Sequence, residues 1–184
     1  MDFKQLPQAP LFLVPLYSRE EIAKRVRELA LNLSQTYTER EPIVVGVLKG
    51  AFVFIADLVR AMKVPMKVDF VQVGSYGYST ESTGSMHLSK DLGFAIKDQD
   101  VILVDTVLDT GLTLRFLLDL LSQRNPRSLA TCVLIDKRQR RQVAVQADYV
   151  GFMLADGFVV GYGLDDGEAY RNLDGLYLLS ILPP

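Results

Sequence analysis

The sequence is poor in the residues that several common chemistries require. A single cysteine, Cys132, excludes an internal disulfide. It sits inside the apolar run SLATCVLI and reads as a small core residue. One histidine, His87, is too little for a cluster of zinc ligands, and no Ser-His-Asp triad can be built around it. It lies in a segment, 76–90, rich in Gly, Ser and Thr, so it reads as a solvated loop residue. No basic excess exists: 20 Lys and Arg stand against 22 Asp and Glu, a net charge of −2. That argues against extended nucleic-acid binding and leaves room only for a local basic patch. Long apolar runs are also missing. The longest, 43–59, is broken by Lys49 and Asp57 and is too short for a membrane span. The first ten residues, MDFKQLPQAP, show no basic stretch followed by an apolar one, so no secretory signal is expected. These absences together read as a cytoplasmic protein without nucleic-acid or membrane partners.

What is present suits one domain over 1–184, since a chain of this length buries roughly two-thirds of its unfolded surface. Ser18 and Glu21 have the spacing of a capping box, opening a helix to about residue 34. IVVGVL (43–48) and VILVD (101–105) are β-branched, apolar runs of the kind found in buried parallel strands. A run of helical length, 51–62, follows the first of these, and a strongly amphipathic one, 112–124, follows the second. Further strands are expected over 67–75, 128–135, 148–153, 158–164 and 176–182. This alternation predicts an α/β fold: a mainly parallel, twisted sheet with helices on both faces. Residues 136–184, with parts of the N-terminal arm, are expected to form a small capping hood. The segment 76–90, YGYSTESTGSMHLSK, is too long for an ordinary connection and reads as a loop or lid. The apolar stretch PLFLVP (10–15) could serve an interface.

The most informative stretch is VILVDTVLDTGLTL (101–114). An apolar strand ends at Asp105, and a loop leads into a helix near Leu112. Ligands of open α/β sheets bind at the carboxyl ends of strands. Thr110, Gly111, Leu112 and Thr113 can present backbone N–H groups at a helix N-terminus, with two hydroxyls beside them, which suits a phosphate. Asp105 and Asp109 alongside suit ribose hydroxyls and a cation. The same pentapeptide, DTGLT, also fits a plain helix cap with a tight turn. Neither a nucleoside-triphosphate loop nor a dinucleotide fingerprint is present.

This segment resembles the binding motif for 5-phosphoribosyl-1-pyrophosphate (PRPP) in the type I phosphoribosyltransferases. Beyond it, LKGA (48–51), SYG (75–77) with STG (82–84), LIDKRQRR (134–141) and DYVGFMLADGFVVGYGLDDGEAYRNL (148–173) are similar to the hypoxanthine-guanine branch in the same order. The resemblance implies transfer of the phosphoribosyl group of PRPP to a 6-oxopurine with magnesium, in a dimer or tetramer. It implies that Lys49 and Gly50 bind pyrophosphate beside a non-proline cis peptide, Leu48–Lys49. Asp105 would hold the ribose and, with Asp165, magnesium. Asp109 would be the catalytic base at purine N7, and Thr110 to Thr113 would cradle the 5′-phosphate. In the same way Lys137 would donate to the 6-oxo group, Phe158 stack on the base, and the Val159 backbone read its edge, with Asp165 also at the purine side. Arg171 would contact pyrophosphate, and Ser75 and Tyr76 would belong to the lid.

Other residues have plainer readings. Lys137, Arg138, Arg140 and Arg141 together could be a solvated basic cluster; Arg138 and Arg140 are read as surface, and Arg141 as a phosphate neighbour. Phe158 could equally be core. One position departs from the branch: Thr106 stands where the motif usually has a second acid, and Asp105 where a glutamate is common. Thr106 could still bind a ribose hydroxyl without charge, so weaker PRPP binding is expected, and T106D is expected to lower the KM for PRPP. Alternative readings are a xanthine- or guanine-preferring relative, an RNA-binding regulator, or a catalytically weak nucleotide-binding protein.

Overall fold

The computed structural model describes residues 12–75 and 86–180. Its centre is a six-stranded sheet. In chain order it comprises β2 (Ile43–Leu48), β3 (Lys67–Ser75), β4 (Met86–Lys90), β5 (Asp100–Leu108), β6 (Ser128–Asp136) and β7 (Tyr149–Met153). The spatial order is β4-β3-β2-β5-β6-β7, parallel except for β4, which pairs antiparallel with β3. The apolar runs are continuous because both faces are covered. Strand alternation sends Val44, Ile102, Val104, Cys132 and Leu134 to one face, where helices α1 (Arg19–Thr36) and α2 (Phe52–Ala61) pack. Ile43, Val45, Val47, Val101, Leu103 and Val133 face the other side, against Leu114, Leu117 and Leu121 of α3 (Leu112–Ser122). The expected α/β sheet with helices on both faces is therefore present. Cys132 is fully buried, and burial pushes its thiol up to about 12.

Helix α1 starts as its sequence predicts. Ser18 Oγ accepts the Glu21 N–H, and the Glu21 carboxylate accepts the Ser18 N–H at 2.8 Å. A second, antiparallel sheet lies over the carboxyl end of the first. It contains β1 (Phe12–Tyr17), β8 (Val159–Val160) and β9 (Leu176–Ser180) in the order β1-β9-β8. Strand β1 was not expected, because Pro15 interrupts its pattern. It occupies an edge, where a missing N–H is tolerated, and its register shifts next to the proline. The strand expected over 158–164 shortens to two residues, since Gly161, Tyr162 and Gly163 all take positive φ (94°, 48° and 97°) and turn the chain back. Strand β7, within the stretch assigned to the hood, is an edge strand of the large sheet. Arg25 donates to the Gly151 and Val150 carbonyls along it. No helix among the described residues is long and apolar enough to cross a membrane.

The topology fixes where a ligand can sit. From β2 the chain crosses outward to β3, and from β5 it crosses the opposite way to β6. The switch between the two directions lies at the carboxyl ends of β2 and β5. Pairing between them ends at Gly46 and Val104, while β5 continues alongside β6 as far as Leu108. Strands β2 and β5 diverge just before Asp105, and a crevice opens there.

Candidate active site

A cavity of about 320 Å³ fills this crevice, lined by Leu48, Gly50, Val73, Met86, Asp105 and Thr113 among others. The loop after β2 and the turn after β5 therefore face each other across one space. The Leu48–Lys49 peptide is cis. A larger groove of about 760 Å³ lies between α1, α2 and residues 171–174, and shares only Arg171 with the residues singled out from the sequence.

Strand β5 runs three residues past Asp105, farther than its apolar run suggested. Asp105 is partly buried, and its Oδ1 accepts the Thr106 N–H at 2.7 Å. Burial pushes its carboxyl up to about 7, against the opposing pull of backbone N–H donors. Thr106 points to the opposite face by strand alternation. It is fully buried, and its hydroxyl has no hydrogen-bond partner among the described residues. Its Oγ1 lies 4.0 Å from where a Cβ on Gly50 would stand, so it is close to the loop after β2. An aspartate there would bury a carboxylate, a cost that tighter PRPP binding by T106D would have to offset.

Asp109, Thr110 and Gly111 form the turn into α3. Gly111 caps the helix at φ 86°, and a Cβ added to it would lie 2.6 Å from Val145 Cγ1 and 2.8 Å from Arg141 Cδ, so only glycine fits. The first turn of α3 carries no acidic side chain to repel an anion, and the Leu112 N–H donates to Thr110 Oγ1 at 3.4 Å. The turn is braced from outside by residues 137–142. Lys137 N donates to Leu108 O and Gln142 N to Thr110 O. The Arg141 guanidinium donates to Leu108 O and to Asp109 O (2.5 Å), and pairs with the buried Asp136 carboxylate. Arg141, read from the sequence as a phosphate neighbour, is thus engaged in holding the turn.

Asp109 meets two cations. Lys137 Nζ lies 3.4 Å from its Oδ2, and Arg140 Nε lies 2.9 Å from its Oδ1. Lys137 is 5% exposed and also donates to Gly157 O at 2.8 Å. Arg140, taken from the sequence as surface, bridges Asp109 to Asp156, shortly before β8 (3.1 Å). Nothing in LIDKRQRR marks the Arg140 position as different from its basic neighbours. Phe158, next to Gly157, is 53% exposed, an unusual state for a large aromatic beside a buried strand. Val159 is buried and pairs with Leu178 through the backbone.

Across the crevice a second set of charges gathers. Lys49 Nζ lies 2.9 Å from Glu168 Oε1, and Arg171 lies 3.2 Å from Glu168 Oε2. Arg171 also pairs with Asp165 Oδ1 at 2.8 Å and donates to Gly163 O. Asp165 Oδ2 accepts the Glu168 N–H. Lys49 foremost, then Arg171, holds the Glu168 carboxyl below the usual glutamate range. Gly163 (φ 97°) packs so close to Gly50 that a Cβ on it would lie 2.2 Å from Gly50 O, locking the hood turn to the loop after β2. Sequence reasoning named Lys49, Asp165 and Arg171 but missed Glu168, three residues from each of the last two.

Ser75 ends β3; Tyr76 and the STG sequence of the expected lid lie outside the described residues. Residues 86–90, expected to be loop, form β4, and the His87 ring packs over Gly74, where a Cβ would meet it at 2.9 Å. His87 is therefore a strand residue rather than a solvated loop residue. Among the described residues no three His, Cys, Asp or Glu side chains cluster to hold a metal. Asp105 and Asp165 supply carboxylate oxygens, the donor type magnesium prefers, but a full set would need oxygens from substrate and water.

Comparison with known proteins agrees with this geometry. A model of the phosphoribosyl transferase domain matches residues 15–167. The hypoxanthine-guanine phosphoribosyltransferase of Aquifex aeolicus is 49% identical over 166 residues, covering 90% of this chain and 93% of that protein. That of Bacillus subtilis is 43% identical over 165 residues, covering 90% and 92%. The crystal structure of a hypoxanthine-guanine phosphoribosyltransferase from Bacillus anthracis superposes with a TM-score of 0.86 at 39% identity, covering 93% of this chain and all of that one. The chain belongs to the phosphoribosyltransferase family and, within it, to the hypoxanthine-guanine phosphoribosyltransferases.

Proposed function

We propose that the protein transfers the 5-phosphoribosyl group of PRPP to hypoxanthine or guanine, releasing pyrophosphate, as a purine-salvage enzyme of the cytoplasm that works as a homo-oligomer. The observation that supports this reading is the turn after β5, where Asp109 pairs with the buried Lys137, which donates to Gly157 O beside the exposed Phe158, while Asp105 and Thr113 flanking the same turn line a cavity with Gly50. Thr110 to Thr113 hold the 5′-phosphate on the N-terminus of α3. Phe158 covers the face of the base. Lys137 has three N–H donors; Gly157 O takes one, Asp109 lies near another, and one is left for a 6-oxo oxygen. Asp109 accepts the N7 proton as N9 attacks C1′ of the sugar, a step for which a placed base contributes about 10²–10⁴-fold. Lys49 and Arg171 neutralise the departing diphosphate. Magnesium, held by Asp105 and Asp165 together with substrate oxygens, would screen the same charge when bound.

The test is a PRPP-dependent assay with hypoxanthine, guanine, xanthine, adenine and uracil. Adenine presents an amino group to Lys137 and leaves a charged donor unpaired, which costs about 1–3 kcal/mol or more. Strong preference for the 6-oxopurines is expected. Equal rates on adenine and hypoxanthine would remove Lys137 from base recognition.

A further inference from the structure

We propose that Glu168 is an internal counter-anion of the diphosphate site, holding Lys49 and Arg171 while the site is empty and competing with the phosphate groups that replace it. This rests on the reading of Lys49 and Arg171 as diphosphate contacts. The two cations come from segments more than a hundred residues apart, and the Glu168 carboxylate is what joins them. One oxygen meets Lys49 at 2.9 Å and the other meets Arg171 at 3.2 Å. Two oxygens spanning two cations is the arrangement a phosphate would take there.

Glu168 is presented by a turn at φ 70°, closed by mutual hydrogen bonds between Asp166 and Ala169 and by its own N–H to Asp165 Oδ2. Arg171 is anchored without it, through Asp165 and Gly163 O. Lys49 is not: among the described residues Glu168 is its one ion-pair partner. The side chains of Glu168 and Lys49 are 62% and 55% exposed, so their pair is solvated and readily exchanged. An incoming diphosphate brings more charge to the same cations and meets repulsion from Glu168 until that side chain swings into solvent. Glu168 thereby weakens binding of the leaving group and favours its departure after transfer.

The experiment is calorimetric titration of the whole protein with inorganic pyrophosphate, for wild type, E168Q, E168D, K49A and R171A. E168Q should bind about three- to tenfold more tightly, the range for losing one or two exposed ion pairs. The gain should shrink at about 0.5 M salt, where screening acts within a few ångströms. E168D should recover wild-type behaviour partially, and in steady-state kinetics E168Q should lower the KM for PRPP without raising kcat. Unchanged or weaker pyrophosphate binding by E168Q, with K49A and R171A both impaired, overturns the counter-anion role alone. Unimpaired binding by K49A and R171A overturns the assignment of the cations, and this proposal with it.

Discussion

The two sides of the crevice are built by different means. The turn after β5 is held by backbone hydrogen bonds from Lys137 and Gln142 and by a guanidinium whose side chain is only 14% exposed. The turn opposite is tied through Glu168 to Lys49 and Arg171 by charges, and two of those three side chains are more than half exposed. Buried hydrogen bonds contribute about 1 kcal/mol each and leave a large penalty when one partner is lost, whereas exposed ion pairs contribute about 0–1 kcal/mol. On the proposed function the first side serves as a fixed template for phosphate, ribose and base. On the same reading the second is an adjustable grip, suited to a group that arrives attached and leaves free.

The largest expected effect breaks the template. R141A removes the donor to Leu108 O and Asp109 O and strips the buried Asp136 of its nearer partner. Arg138, at 3.3 Å, compensates only partially. Loss of about 3 kcal/mol in urea unfolding is expected, the low end for breaking a buried pair. A change under about 1 kcal/mol, no more than an ordinary hydrogen bond contributes, would mean that the turn holds itself. Next comes D109N, which should keep the fold and lower turnover by about 10²-fold or more. Near-normal turnover would take Asp109 out of the proton transfer.

A third substitution separates stability from function. The Asp105 carboxyl is raised to about 7 in the folded chain, so the folded state holds a proton that the unfolded state releases near pH 4. Below about pH 4 both states are protonated and the group is neutral to stability. Between there and about 7 the cost of ionising it in place grows, and above that it is complete. D105N should therefore stabilise the ligand-free protein by about 2 kcal/mol at about pH 8 after allowance for partial exposure, and by almost nothing at about pH 4, while weakening PRPP binding. Equal stabilisation at both pH values would contradict this origin. The smallest effect is at Thr106. T106V removes a buried hydroxyl that has no partner among the described residues and should raise stability by about 1 kcal/mol with the KM for PRPP unchanged. A tenfold rise in that KM would return Thr106 to the ribose.

The strands and helices of the large sheet were legible in the sequence because β2, β5 and β6 are continuous apolar runs and α1 carries its own capping box. The hood was harder to read. Strand β1 is masked by Pro15, and β8 is cut short by three successive positive φ values that only its packing against Gly50 and residue 175 explains. At the candidate site, residues of the turn after β5 and Lys49, Lys137, Asp165 and Arg171 were singled out through the family's motifs. The partners that position them were not. Arg140, Arg141 and Glu168 act through contacts between segments distant in sequence, and local pattern carries no trace of such contacts. Thr106 was singled out by a motif position, and its complete burial is a feature the local pattern did not announce.

The claim that these residues form one transferase site is tested most directly by following hypoxanthine and PRPP with the purified protein in magnesium. Stoichiometric formation of the nucleotide and pyrophosphate, lost in D109N, is the predicted result. Binding of PRPP or nucleotide with no pyrophosphate released from any purine would contradict it.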